Sequence, residues 1–164
     1  MAGEITGPHT DPKALDQLRP LWEQLRDHHD VVASYRHLAR DPAAAWRSRV
    51  GWYERTLADG GAYFVARSRG HVAGYAVVAV EPGPDDTFDV DQGIAEIISL
   101  VVDDEVRGEG LGASLVAAAK DFAIAAGLDT LRVAVMAGNA DAERFYVDHD
   151  FEVAEHVLYR RLRS

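Results

Sequence analysis

The sequence contains no cysteine, and that absence removes a disulfide framework, a thiolate nucleophile and a thiolate metal site together. Long apolar runs are missing as well. The opening MAGEITGPHT carries none, and no later stretch approaches the roughly 20 residues that span a bilayer, so neither a leader nor a membrane anchor is expected. Positive charge is scarce, with 17 Lys and Arg against 27 Asp and Glu and a formal net charge of -10. Nucleic acid usually recruits a basic face, so that balance argues against it as a partner. It leaves open a cationic or neutral substrate, and equally a role in solubility alone. No repeat and no linker rich in Pro, Gly or Ser divides the chain, so residues 1–164 read as one domain with the cytoplasm as the default location.

What is present alternates between two periods. From Pro12 to His29, Leu15, Leu18, Leu21, Trp22 and Leu25 recur at steps of three and four, the stripe of an amphipathic helix. Asp11 supplies an N-cap and Pro12 the first helical position, while Pro20 kinks or interrupts the helix and splits it into two pieces. A second helix is expected over Ala43–Ala58, with Trp46, Val50, Tyr53 and Leu57 turned inwards. Residues 62–80 then form two β-rich runs around Arg69 and Gly70, the mark of a hairpin. Residues 81–93 are an acidic loop, Ile94–Val102 a strand, Gly110–Ala126 a helix, residues 128–137 a strand and residues 139–150 a helix. Residues 151–162 close the chain as one or two strands. This order points to an α+β fold, a mixed sheet with helices on both faces.

Glycines at 108, 110 and 112 alternate between the end of a strand and the start of a helix. A helix start exposes N–H groups that no earlier carbonyl satisfies, and it carries about half a positive charge. Glycines there keep side chains clear of those donors, so a phosphate or pyrophosphate can rest on the main chain, with Arg107 beside it. The acids Asp103, Asp104, Glu105 and Glu109 have to point outwards for this to hold. A P-loop fits poorly, because no lysine is placed to reach phosphates. A dinucleotide fingerprint is met by Gly108, Gly110 and Ala113, yet Asp129 falls at the wrong end of the next strand for a ribose. Glycines with a purely structural role remain a third option.

The pattern resembles that of the GCN5-related N-acetyltransferases (GNAT), whose signature is Arg or Gln, two residues, Gly, one residue, then Gly or Ala. Arg107, Gly110 and Gly112 fill it. Downstream, Asn139, Ala142, Tyr146 and Phe151 match the family's N-x-x-A-x-x-x-Y-x-x-x-G-F, with Asp150 where glycine is usual. Aspartate tolerates the left-handed backbone such a position needs, at some cost. Together the motifs and their connecting elements cover Ile94–Phe151. The implied fold is a mostly antiparallel central sheet whose fourth and fifth strands splay apart.

The resemblance implies acetyl-coenzyme A as acyl donor, no metal, and a small-molecule or peptide amine as acceptor, with a homodimer left open. It implies that the main chain of Arg107, Gly108, Glu109, Gly110, Leu111, Gly112 and Ala113 holds the pyrophosphate. It further implies that the edge of Leu100, Val101 and Val102 holds the pantetheine arm, and that Asn139 contacts that arm or holds the splay. Tyr146 corresponds to the acid that protonates the leaving sulfur, the alternative being a packing tyrosine beside Phe145. Glu96 corresponds to the base used by some members, directly or through water, and in a regular strand it shares a face with Ile98 and Leu100. Ser99 is a lesser candidate for that role. The His28-His29-Asp30 run lacks a second ligand cluster for a metal; with Tyr35 and the acidic loop it is placed to touch the amine, although a solvated helix end explains it as well. A non-catalytic acyl-coenzyme A-binding module of the same fold is the alternative to an enzyme.

Overall fold

The computed structural model describes residues 3–33, 41–83, 89–90 and 92–162. Tyr35 and residues 84–88 and 91 of the acidic loop lie outside them. Five strands, β1 (Glu4–His9), β2 (Ala62–Ser68), β3 (His71–Glu81), β4 (Ile94–Val102) and β5 (Leu131–Val133), lie in that order across one sheet. The first three pairings are antiparallel, and β4 pairs with β5 in parallel. The sheet is thus mixed and mostly antiparallel, the α+β arrangement expected.

β2 and β3 are buried on both faces, which is why AYFVA and AGYAVVAV read as nearly continuous apolar runs. One face carries α3 (Leu111–Ala125) and α4 (Ala140–Val147), packed on Phe64, Ala76, Val78 and Ile97 through Leu115, Ala119 and Tyr146. The other carries α1 (Arg19–Val32) and α2 (Pro42–Ala58), where Trp22, Trp46 and Tyr53 meet Val65, Tyr75 and Val77. Asp11 caps a 3-10 helix over Pro12–Leu18, its side chain accepting from the Lys13 amide, and α1 starts afresh with Pro20 in its first turn, where a missing N–H costs nothing. The expected interruption is therefore a clean division into two helices. Asp41 caps α2 by accepting from the Ala44 amide at 3.0 Å.

Three expectations need correction. The first strand, EITGPH, escapes the sequence reading because it is a half-exposed edge strand holding a Gly-Pro pair, tolerated only at an edge. The strand expected over 128–137 keeps only Leu131–Val133, because beyond Val133 the chain leaves β4. Residues 151–162 form no strand: alternation alone does not make one, and no ladder pairs them. Beyond Phe151 their apolar side chains are left exposed, Leu158 at 93% and Leu162 at 84%.

A bulge in β4 sets its facing. Val77 pairs with Ser99 and Val78 with Ile97, so Ile98 is an extra residue. Ala95, Ile97, Leu100 and Val102 pack towards α3, whereas Ile98 and Val101 pack towards α1 and α2. Glu96, between Ala95 and Ile97, shares the second face with Ile98 but not with Leu100, as a regular strand would have it.

The end of α4 explains the spacing of its motif. The Phe151 amide donates to the Tyr146 carbonyl at 3.1 Å and the Asp150 amide to that of Val147 at 3.2 Å. Asp150 has φ +68, and the Phe151 ring meets Tyr146 edge-on at 5.3 Å. This is a Schellman cap: a left-handed residue ends the helix and an apolar residue after it packs back on the last turn. Asp150 occupies the glycine position at a conformational cost. Asp150→Gly is expected to stabilise the protein by about 0.5 kcal/mol and raise the melting midpoint by about 1–2 °C, measured by calorimetry. A lower midpoint would mean that the Asp150 side chain contributes more than the backbone strain removes.

Candidate active site

β4 and β5 are joined only at Ala95–Leu131, Glu96–Arg132 and Ile97–Val133. Beyond them β4 runs on to Val102 with β3 on one side and, among the described residues, no strand on the other. The Asp103 amide donates to the Ala73 carbonyl at 2.9 Å. In an antiparallel pair the bonding alternates, so Val101 bonds across to Tyr75 while the main-chain groups of Leu100 and Val102 face the gap.

At the end of that edge stands the glycine loop. Gly108 and Gly110 both have φ +84, and nothing lies within 4 Å of where a Cβ would stand. Gly110 is the N-cap of α3 with no side-chain cap. Among the described residues no hydrogen bond takes up the amides of Gly108, Gly110, Leu111, Gly112 or Ala113, whereas that of Glu109 donates to Val106 at 3.4 Å. Gly112 differs: a Cβ there would come within 3.2 Å of Phe145, so this glycine lets α3 and α4 approach. Arg107 pairs with Asp104 at 2.6 Å, and its Nε donates to the Val102 carbonyl at 3.4 Å. Asp103 is turned to the Glu105 amide, and Glu105 and Glu109 are exposed.

α4 brings the second motif beside the first. Asn139 is buried and caps the helix, its Oδ1 accepting from the Ala142 amide at 3.3 Å and lying 3.5 Å from His28 Nε2 of α1. A Cβ on Gly138 would collide with the Val32 carbonyl, so the end of α1 is pressed against the turn before α4. Tyr146 is buried between Phe145 and Phe151, and burial pushes its phenol far up, which keeps it protonated.

Glu96 is not free. Its Oε2 accepts from Arg132 Nε at 2.9 Å and Nη2 at 2.7 Å, directly across the ladder. It lies four residues before Leu100, roughly 13 Å along an extended strand. Ser99 belongs to a buried polar cluster that sequence reasoning missed. Its Oγ accepts from Tyr53 at 2.6 Å and from Arg49 Nη1 at 3.3 Å and donates to the Ile98 carbonyl, while Tyr53 and Tyr75 hydroxyls meet at 3.1 Å. Only the bulge brings these groups together, and no local spacing announces it.

Arg49 also lines a cavity of about 330 Å³ between α1 and α2, with Trp22, Leu25, His29, Trp52 and Met136. Asp30 lines it as well. Burial lowers the His29 pKa, followed by the positive charges of Arg49 and His28 against a smaller opposing pull from Asp30, so His29 is neutral near pH 7. The three residues of the run therefore part: His28 faces Asn139, while His29 and Asp30 reach the cavity. Among the described residues no group of three or more His, Asp or Glu is arranged to hold a metal ion.

The chain matches the sequence model of the acetyltransferase (GNAT) family over residues 22–151. No protein of curated function matches it in sequence. Among solved structures it is similar to AAC(6')-Iy in complex with the bisubstrate analog CoA-S-monomethyl-acetylneamine, at 19% identity over 100% of both chains and a TM-score of 0.73. A GCN5-related N-acetyltransferase from Ralstonia eutropha JMP134 gives 18% identity over 97% of both chains and a TM-score of 0.71. Ribosomal-protein-alanine N-acetyltransferase from Brucella melitensis biovar Abortus 2308 gives 18% over 100% of both chains and 0.64. The family match takes in the parted strands, the glycine loop and the Tyr146 helix alike, and the chain belongs to the acetyltransferase (GNAT) family.

Proposed function

We propose that the chain moves an acetyl group from acetyl-coenzyme A directly to a primary amine of a small molecule or peptide. One observation carries the reading: among the described residues no strand pairs the edge of β4 at Leu100 and Val102, and that edge runs into a loop at the mouth of α3 whose amides, that of Glu109 apart, are free. The diphosphate of the donor is held by the amides from Arg107 to Ala113, with Arg107 exchanging Asp104 for phosphate. The pantetheine arm lies along β4 as an added strand would. Asn139 holds the splay by tying α4 to α1.

In the transfer the amine nitrogen forms a bond to the thioester carbon and the carbon–sulfur bond breaks. A main-chain N–H of β4 steadies the charge growing on the carbonyl oxygen. The sulfur takes the phenol proton of Tyr146, which burial holds neutral beforehand, and leaves as a thiol, while the second proton shed by the attacking nitrogen restores the phenol. The proton of the acceptor ammonium passes to Glu96 through water, since that carboxylate stands back along β4 in its pair with Arg132. Neutral His29 offers a second acceptor inside the cavity. Residues 1–164 work as one domain in the cytoplasm, with no partnership to nucleic acid or membrane; no described helix is long and apolar enough to cross a bilayer. The exposed Val153, Val157, Leu158 and Leu162 support association of two copies, read by analytical ultracentrifugation as a dimer that a chain cut after Phe151 no longer forms.

Thiol release from acetyl-coenzyme A is expected with at least one member of an amine panel that includes an aminoglycoside and a peptide with N-terminal alanine. These are acceptor classes named for two of the similar structures. Tight donor binding with no release for any amine would make the chain a binding module. Tyr146→Phe should lower kcat about tenfold to a hundredfold and leave donor affinity within about threefold; an equal loss of both would remove the acid role. Gly110→Val puts a side chain into open space and forces it into a left-handed backbone. Coenzyme A affinity by titration calorimetry should fall at least about tenfold, and unaltered affinity would place the diphosphate elsewhere.

A further inference from the structure

The cavity between α1 and α2 lies on the side of the sheet to which the Ser99 side chain turns, and Arg49 of its lining reaches Ser99, one residue before Leu100. Its one charged group held from behind is Arg49. The guanidinium donates to Ser99 Oγ at 3.3 Å and lies over the rings of Trp52 at 5.0 Å and Tyr53 at 5.8 Å. Ser99 is fixed in turn by Tyr53, and Tyr53 by Tyr75. A guanidinium has five N–H donors in a rigid fork.

Arg19, Arg26, Arg107, Arg132 and Arg144 each face a carboxylate, including Arg26 at the same cavity, which pairs with Asp27 at 2.6 Å. Among the described residues no carboxylate lies within 4.0 Å of Arg49, in a chain of net charge -10. A positioned, half-buried guanidinium that spends Nη1 on Ser99 keeps further donors for a planar anion, and a carboxylate fits two of them with parallel bonds. The walls of Trp22, Leu25, Trp52 and Met136 suit an apolar body.

Distance narrows the class further. Arg49 touches the residue next to the edge along which the thioester is proposed to lie, so the anion it holds must be close to the reacting nitrogen. In an α-amino acid the two groups share one carbon. We propose that the acceptor is an α-amino acid with an apolar side chain, its carboxylate on Arg49 and its side chain against Trp22 and Trp52. This rests on the acetyltransferase reading and names its substrate class. A polyamine, by contrast, meets an unneutralised cation here.

The test compares L-phenylalanine, L-leucine and L-methionine with phenethylamine, which lacks the carboxylate, and with spermidine. Rates of thiol release are measured for the wild type, Arg49→Met and Arg49→Lys. The wild type should favour at least one amino acid over phenethylamine at least tenfold in kcat/KM, mostly through KM. In Arg49→Met that preference should shrink at least tenfold, with Arg49→Lys intermediate; comparing ratios cancels the amines' own basicities. A preference unchanged in Arg49→Met, or a wild type that favours spermidine, overturns the proposal. Thermal melts check folding, and if Arg49→Met does not fold, an Arg49→Lys preference equal to wild type overturns it. If no amine releases thiol, the acetyltransferase reading fails. Direct calorimetric binding then decides the site: an amino acid bound by the wild type and more weakly by Arg49→Lys upholds it, and no binding, or binding unaffected by the substitution, overturns it.

Discussion

The parting of β4 from β5 after three paired residues is the constraint on which the rest of the molecule depends. A main-chain N–H or C=O shut away from water needs a partner, so a strand in mid-sheet cannot simply lose its neighbour. Here the loss is arranged. β5 stops at Val133, the bulge at Ile98 turns β4, and α1 is pressed against the turn before α4 through Val32, Gly138 and the Asn139–His28 contact. The helices hold the strands apart, and the freed edge leads to the amides at the mouth of α3.

The two sheet faces divide the labour. On the α3 and α4 face, the small side chain of Gly112 lets Phe145 come close, and Tyr146 is fixed by the cap that ends its helix. On the α1 and α2 face, the tyrosine–serine cluster at the bulge anchors Arg49 beside the cavity. The proposed donor and acceptor sites are thus built by different helices, and β4 is the element common to both.

Much of this was legible in the residues. Burial on both faces gives β2 and β3 their unbroken apolar runs, and the cap at Asp11 stands where its side chain announces it. Asp150 adopts the left-handed backbone anticipated for it. What was not legible depends on partners distant in sequence. β1 is an edge strand with little apolar pattern of its own, and residues 151–162 have the pattern without a ladder. The facing of Glu96, its pairing with Arg132 and the Arg49–Ser99 contact all follow from one extra residue in β4 and from the register across it. Periodicity within a segment carries no record of either.

A recognition surface made of peptide groups is indifferent to the side chains that hang from it. The exposed edge at Leu100 and Val102 persists under any substitution that keeps the strand extended and its neighbour away. Such a surface survives extensive drift, and chains at 17 to 19% identity still superimpose along the whole of this fold. The cavity beside Arg49 has no such immunity, because its chemistry resides in side chains alone. On the proposed assignment, divergence within this architecture is free to rewrite what the cavity accepts while leaving in place the edge that would grasp the donor.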